Sequence, residues 1–237
     1  MANYSLEIGS TLSIGWEYAK KYGLLIAVIY LIVSVITGGS QNILSSSVSP
    51  EVYQGMGEAM GRGDWDAVAQ YYAKAYNNGI GYYLSLTFSS IISIVVSVAL
   101  YNLALGLMSG RFCEVTFDAF KLSAATYLKV GAVELIVGIV SCFSFLFCII
   151  PYFFVAPRLI MAPIYQTEHP EAGVFDSIKA SWDMTSGNTL ALIGLGCVIV
   201  GIILVGFCCC CIGIYFAQAI ELFALIAAYN QLKSNLY

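Results

Sequence analysis

The chain has 237 residues, 59% apolar and 10% charged, with a mean hydropathy of +0.83 and a formal net charge of -4. Soluble domains carry about a quarter of their residues as charges, so water is not the main solvent of this molecule. Its eight cysteines lie mostly inside apolar runs, which excludes the disulfide framework of a small secreted domain, and Cys113, Cys142, Cys148 and Cys197 read as small packing residues.

Residues 5–20 place Ile8, Leu12, Trp16 and Ala19 at spacings of three to four, with Glu7, Ser13, Glu17 and Lys20 elsewhere on the wheel. This pattern predicts an interfacial helix that turns into a first apolar span at 22–44. The mixed start lacks the basic residues and short apolar core of a cleaved signal peptide, so the span reads as a retained anchor. An outer loop follows at 45–79, opening with Ser45-Ser46-Ser47 and Pro50. Within it, Asp64 is placed to cap a helix over 64–76 in which Trp65, Val68, Ala69, Tyr72 and Tyr76 share a face, and Asn77-Asn78-Gly79 stops that helix.

The second span, 80–108, closes with Gly106 and Gly110 at small-residue spacing. A second amphipathic helix is predicted over 115–126, with Phe117 and Phe120 on one face, before the third span at 128–149. Pro151 marks an outer turn. The fourth span, 150–166, holds Pro157, Arg158 and Pro163, so it is expected to be kinked or broken; if it failed to cross, everything after it would invert. A third amphipathic helix over 172–185, with Val174, Ile178 and Trp182 on one face, leads to the fifth span at 189–207. Cys208 to Cys211 form the next outer turn, read as apolar, and the sixth span runs over 212–232.

The expected fold is therefore all-α: one polytopic membrane bundle over residues 1–237, with about six spans and interfacial helices at 5–20, 64–76, 115–126 and 172–185. Internal repeats are expected as well. Phe117, Asp118, Lys121 and Ser123 align with Phe175, Asp176, Lys179 and Ser181, and Trp16-Glu17 with Trp182-Asp183. In a six-span arrangement Lys20, Lys21, Arg111, Lys121, Lys129, Lys179 and Lys233 fall on one side, with Arg62 and Lys74 opposite, which predicts both termini in the cytoplasm.

Ala156-Pro157-Arg158-Leu159-Ile160, the run Ser177-Ile178-Lys179-Ala180-Ser181-Trp182-Asp183-Met184-Thr185-Ser186-Gly187-Asn188 and the closing Ala227-Ala228-Tyr229-Asn230-Gln231-Leu232-Lys233 carry a resemblance. The chain resembles the bacterial six-span membrane domain attached to some glycerophosphodiester phosphodiesterases, and its stand-alone relatives. That resemblance implies the bundle and a bacterial inner-membrane location. It implies no active site, because catalysis in the fused enzymes belongs to a separate soluble barrel.

No phosphate-cradling glycine loop or hydrolase elbow occurs, and the single histidine, His169, sits with Glu168 and Glu171 around Pro170 in a loop that reads as solvated. No catalytic, cofactor or metal residues are assigned, and the chain is expected not to be an enzyme. The informative polar residues are Glu134, Arg158 and Glu221, because a charge in hydrocarbon needs a partner or water. Depth counting predicts an Arg158 to Glu221 ion pair, while Glu134 is expected to snorkel or meet Lys129, Lys179 or Arg111. Trp16, Trp65 and Trp182 are the expected interfacial anchors. The bilayer is the first partner, with a membrane protein or a second copy next and no nucleic acid. The leading functional reading is a scaffold or accessory subunit; the alternative is a small transporter or lipid-handling protein.

Overall fold

The computed structural model describes residues 5–44, 50–76, 79–147, 149–208 and 212–236. Ser45 to Ser47, Asn77 with Asn78, Cys148 and Cys209 to Cys211 lie outside the described residues. The described chain is helical almost throughout and forms no strand: α1 (Ile8–Leu44), α2 (Pro50–Arg62), α3 (Trp65–Tyr76), α4 (Gly79–Met108), α5 (Ala124–Phe147), α6 (Ile149–Leu159), α7 (Ala162–Glu168), α8 (Val174–Met184), α9 (Thr189–Cys208) and α10 (Ile212–Leu232). Among the described residues, five helices are long and apolar enough to cross a bilayer, within α1, α4, α5, α9 and α10.

Three local expectations are corrected. The first amphipathic segment does not turn into its span, because α1 runs unbroken for 37 residues with no proline between Ile8 and Leu44. The second is not a helix over 115–126. Only a 3-10 turn forms at Phe117–Phe120, and the Ser123 hydroxyl then accepts the Thr126 amide and starts α5 afresh. The outer loop holds two helices instead of one, since Pro50 and Glu51 also open α2.

The chain divides into two compact units, residues 32–93 and the remainder. In the smaller unit α2 and α3 form a helical hairpin. Gly63 takes φ +70°, the left-handed conformation that ends α2, and the Asp64 carboxylate accepts the Ala67 amide at 3.0 Å, the cap its position predicts.

In the larger unit α10 is the central helix. Ala217, Ala219, Ala224, Ala227 and Ala228 are buried along it, together with Phe223 and Tyr229. Small side chains let neighbours approach closely: a methyl group at Gly15 of α1 would stand 2.9 Å from the Ala224 amide nitrogen. The outer helices have the opposite character. Leu128, Leu135 and Leu146 of α5 and Leu190 and Leu204 of α9 are each at least 60% exposed, a surface suited to acyl chains and costly in water.

The fourth segment breaks in two, and proline chemistry explains where. Pro157 sits within α6 and has no N–H for the carbonyl of Phe153, and Pro163 has none for Leu159, so α6 ends at Leu159 and α7 begins anew with Pro163 in its first turn. At about 16 Å and 10 Å neither piece spans roughly 30 Å of hydrocarbon alone. Together they return the chain to the end of the unit where α5 began, because the Lys129 ammonium near the start of α5 donates to the carbonyls of Pro170 (2.7 Å) and Ala172 (3.1 Å), just past α7. Replacing Gly15 by Val is expected to lower stability by about 1–3 kcal/mol through overpacking, whereas Gly9→Val, where added atoms meet nothing within 4 Å, leaves it near wild type. Thermal unfolding of both variants in nanodiscs, followed by helical circular dichroism, checks this.

Candidate functional site

One end of the larger unit is closed by a polar network. The Leu6 amide donates to the Asn188 side chain at 2.8 Å and the Glu7 amide to Gln231 at 3.3 Å, so remote side chains satisfy amides ahead of α1. Gln166, fully buried, donates to the carbonyls of His169 and Ala172 and accepts from the Ser177 hydroxyl, which shapes the turn between α7 and α8. Glu168 accepts from the Tyr229 hydroxyl and, at 3.0 Å, from the Lys233 ammonium, tying α7 to the end of α10. Its oxygens thus serve this tie, while His169 lies 3.3 Å from Glu171. Burial alone would push the Glu168 carboxyl up, but the Tyr229 hydroxyl, Lys233 and His169 outweigh it and hold the group below the ordinary 4.5.

At the break after α6, α8 supplies hydroxyl donors to one carbonyl, that of Arg158. The Ser181 hydroxyl donates to the Arg158 carbonyl at 2.6 Å, and Thr185 reaches the same oxygen at 3.5 Å. Ser177, Ser181 and Thr185 stand four residues apart and are all fully buried, so α8 turns its hydroxyl stripe inward. Phe175 and Trp182 remain exposed on it.

The expected ion pair between Arg158 and Glu221 does not form. Arg158 Nε donates to the Thr189 hydroxyl at 3.0 Å, and its guanidinium lies over the Trp182 ring, 4.6 Å from the centroid. The reason is depth. Arg158 belongs to the last turn of a short α6, level with the first residue of α9. Glu221 sits midway along α10, about 14 Å from Ile212 and about 17 Å from Leu232. Glu134 likewise has none of its expected partners, since the Lys129 ammonium is engaged at Pro170 and Ala172. Its electrostatic neighbour is Tyr101 of α4. Of the aromatic anchors, Trp16 packs edge-on to Phe216 with Lys20 over its ring, and Trp65 opens α3 at 70% exposure.

What the short α6 leaves open is a groove of about 640 Å³ between α6, α9 and α10, within the size range of small-molecule sites. Tyr152, Phe153 and Pro157 wall one side, Leu195 and Ile199 the other, and among the described residues Glu221 is the one charged residue lining it. Gly196 also faces the groove, and atoms added there meet nothing within 4 Å. Among the described residues Glu221 makes no ion pair. The groove itself was foreseeable only as a weakness in the fourth span. The buried stripe Ser177, Ser181 and Thr185 was readable from its spacing of four.

Comparison with protein-family models, curated proteins and solved structures returns no match.

Because the folded Glu168 carboxyl titrates below its unfolded value, it contributes stability that is fully present above about pH 4.5 and is lost as pH falls through the lower folded value. Glu168→Gln is expected to cost about 1–3 kcal/mol at pH 7 and to flatten the loss of melting temperature on acidification below about pH 4.5. Melting curves of the two proteins from pH 7 to pH 3 measure both effects.

Proposed function

We propose that this chain is a non-enzymatic integral membrane protein that holds a single-chain, lipid-like amphiphile in the groove between α6, α9 and α10. The observation that carries the reading is the groove itself: apolar walls, one carboxylate at mid-depth, and a broken helix that leaves space where an intact span would pack. Ligand-handling membrane proteins use interrupted helices in this way, since irregular backbone is tolerated in the hydrocarbon zone only where it lines a cavity or is covered by protein. The proposed location is the bacterial inner membrane with both termini cytoplasmic. Lys129 and Lys233 at the polar end and the family resemblance support that orientation.

A second reading, the accessory subunit, draws on the smaller unit. Its α2–α3 hairpin exposes Tyr53, Met60, Trp65 and Tyr72, an aromatic surface suited to a membrane-protein partner or to the headgroup layer.

A 12-carbon alcohol bearing a diazirine is the probe for the groove. In phosphatidylcholine nanodiscs it is expected to label α9 and α10 at residues facing the groove, and Gly196→Trp is expected to reduce that labelling at least tenfold while the protein keeps its melting temperature. Labelling spread evenly over lipid-facing positions, unchanged by the variant, removes the reading. For the accessory role, a photoreactive amino acid in place of Trp65 is expected to give one discrete protein adduct in cells; adducts to lipid alone dismiss it.

A further inference from the structure

We infer that the occupant of the groove is a membrane amphiphile whose head is a protonated amine without a phosphate, paired with Glu221. This rests on the groove-binding reading and adds the chemistry of the head.

The argument is one of charge complementarity. Arg158 is the sole Lys or Arg on α6, α9 or α10, and it is directed to Thr189 and Trp182 instead of into the groove. Glu221 is left facing an apolar cavity with no protein cation beside it. The groups within its electrostatic range on the other packed helices include Tyr30 of α1 and Tyr101 of α4, which carry hydroxyls but no positive charge. A carboxylate at mid-depth in hydrocarbon is costly unless a partner neutralises it, and a ligand ammonium forms a neutral pair there with charge-assisted hydrogen bonds.

The other head groups fit less well. A phosphate would meet the carboxylate with like charge and find no basic side chain among the described residues that line the groove. A neutral alcohol would offer the carboxyl a hydrogen bond but no charge to pair with it. The apolar walls require an alkyl chain behind the head, since a small free amine would leave Leu195, Ile199 and Phe153 facing a void. The position of Glu221, midway along α10 and facing a groove beside lipid-exposed α9, favours entry from the bilayer over entry from water.

The test is competition against the diazirine alcohol in phosphatidylcholine nanodiscs. Dodecylammonium is expected to displace the label at least tenfold more effectively than dodecanol, and dodecyl phosphate no better than dodecanol. Glu221→Gln, which removes a buried charge and is expected to fold, should bring dodecylammonium down to the level of dodecanol. Glu134→Gln, away from the groove, should leave the tenfold preference intact, which separates pairing at Glu221 from general attraction to an acidic protein. Equal competition by ammonium and alcohol, unaltered by Glu221→Gln, overturns the amine assignment while the groove reading stands. Stronger competition by dodecyl phosphate overturns it too. Absence of groove labelling by the alcohol removes both, as does cross-linking from Cys197 to a second copy or to a partner helix seated in the groove. Should Glu221→Gln melt early, Glu221→Asp serves instead: retention of at least a threefold preference for ammonium supports the pairing, and its loss overturns it.

Discussion

The interruption between Leu159 and Ala162 is the constraint on which the larger unit depends. Two prolines deny their N–H groups to carbonyls one turn earlier, and a polar backbone left open near hydrocarbon must find other donors. α8 also covers the broken end, with Ser181 and Thr185 donating to the carbonyl of Arg158, the residue next to Leu159. The amphipathic helix is thereby fixed with its hydroxyl face inward and Phe175 and Trp182 outward. The same break ends α6 early, which brings Arg158 to Thr189 and leaves Glu221 facing a cavity. A covalent feature of two residues thus sets the docking of one helix, the partner of one cation and the isolation of one carboxylate.

A second constraint is the close approach along α10. Small residues let α1 and α9 come near it, and dispersion between tightly packed surfaces takes the part that the hydrophobic effect plays in water. The long aliphatic residues of α5 and α9 are then left to face outward. A polar network closes one end, where Asn188, Gln231, Gln166 and Glu168 connect the chain's start, the α7–α8 turn and the end of α10. The ends are held by hydrogen bonds and the middle by shape.

Much of the helical plan was legible. α4, α5, α9 and α10 begin and end within a few residues of their expected spans because long apolar runs bounded by polar turns leave little choice. Asp64 was legible as a cap, and the proline pair as a break. The interfacial helix at 115–126 was misread because Phe117 and Phe120 suit either a helix face or a 3-10 turn, and Ser123 decides by capping the next helix. The start of the chain was misread as two elements because polarity changes near Lys20 and Lys21 although the backbone has no reason to stop there. Arg158 and Glu221 were paired on depth counted from Pro151 and Ile212, a count that carries no information on where a side chain points, and Arg158 turns to Thr189 and Trp182.

Composition and periodicity alone determined that this is an all-helical chain whose long apolar segments require an acyl environment, since each such helix satisfies its own backbone and its side chains do the rest. Only the tertiary structure decided which faces are buried in protein and which stay exposed, that the broken fourth segment returns to the end where α5 starts, and that Glu221 faces a groove without an ion pair among the described residues. Those outcomes depend on where short polar side chains from distant parts of the chain meet. Hydrogen bonds act over about 3 Å, so contacts such as Leu6 with Asn188 or Arg158 with Thr189 leave no periodic trace in the residues between them.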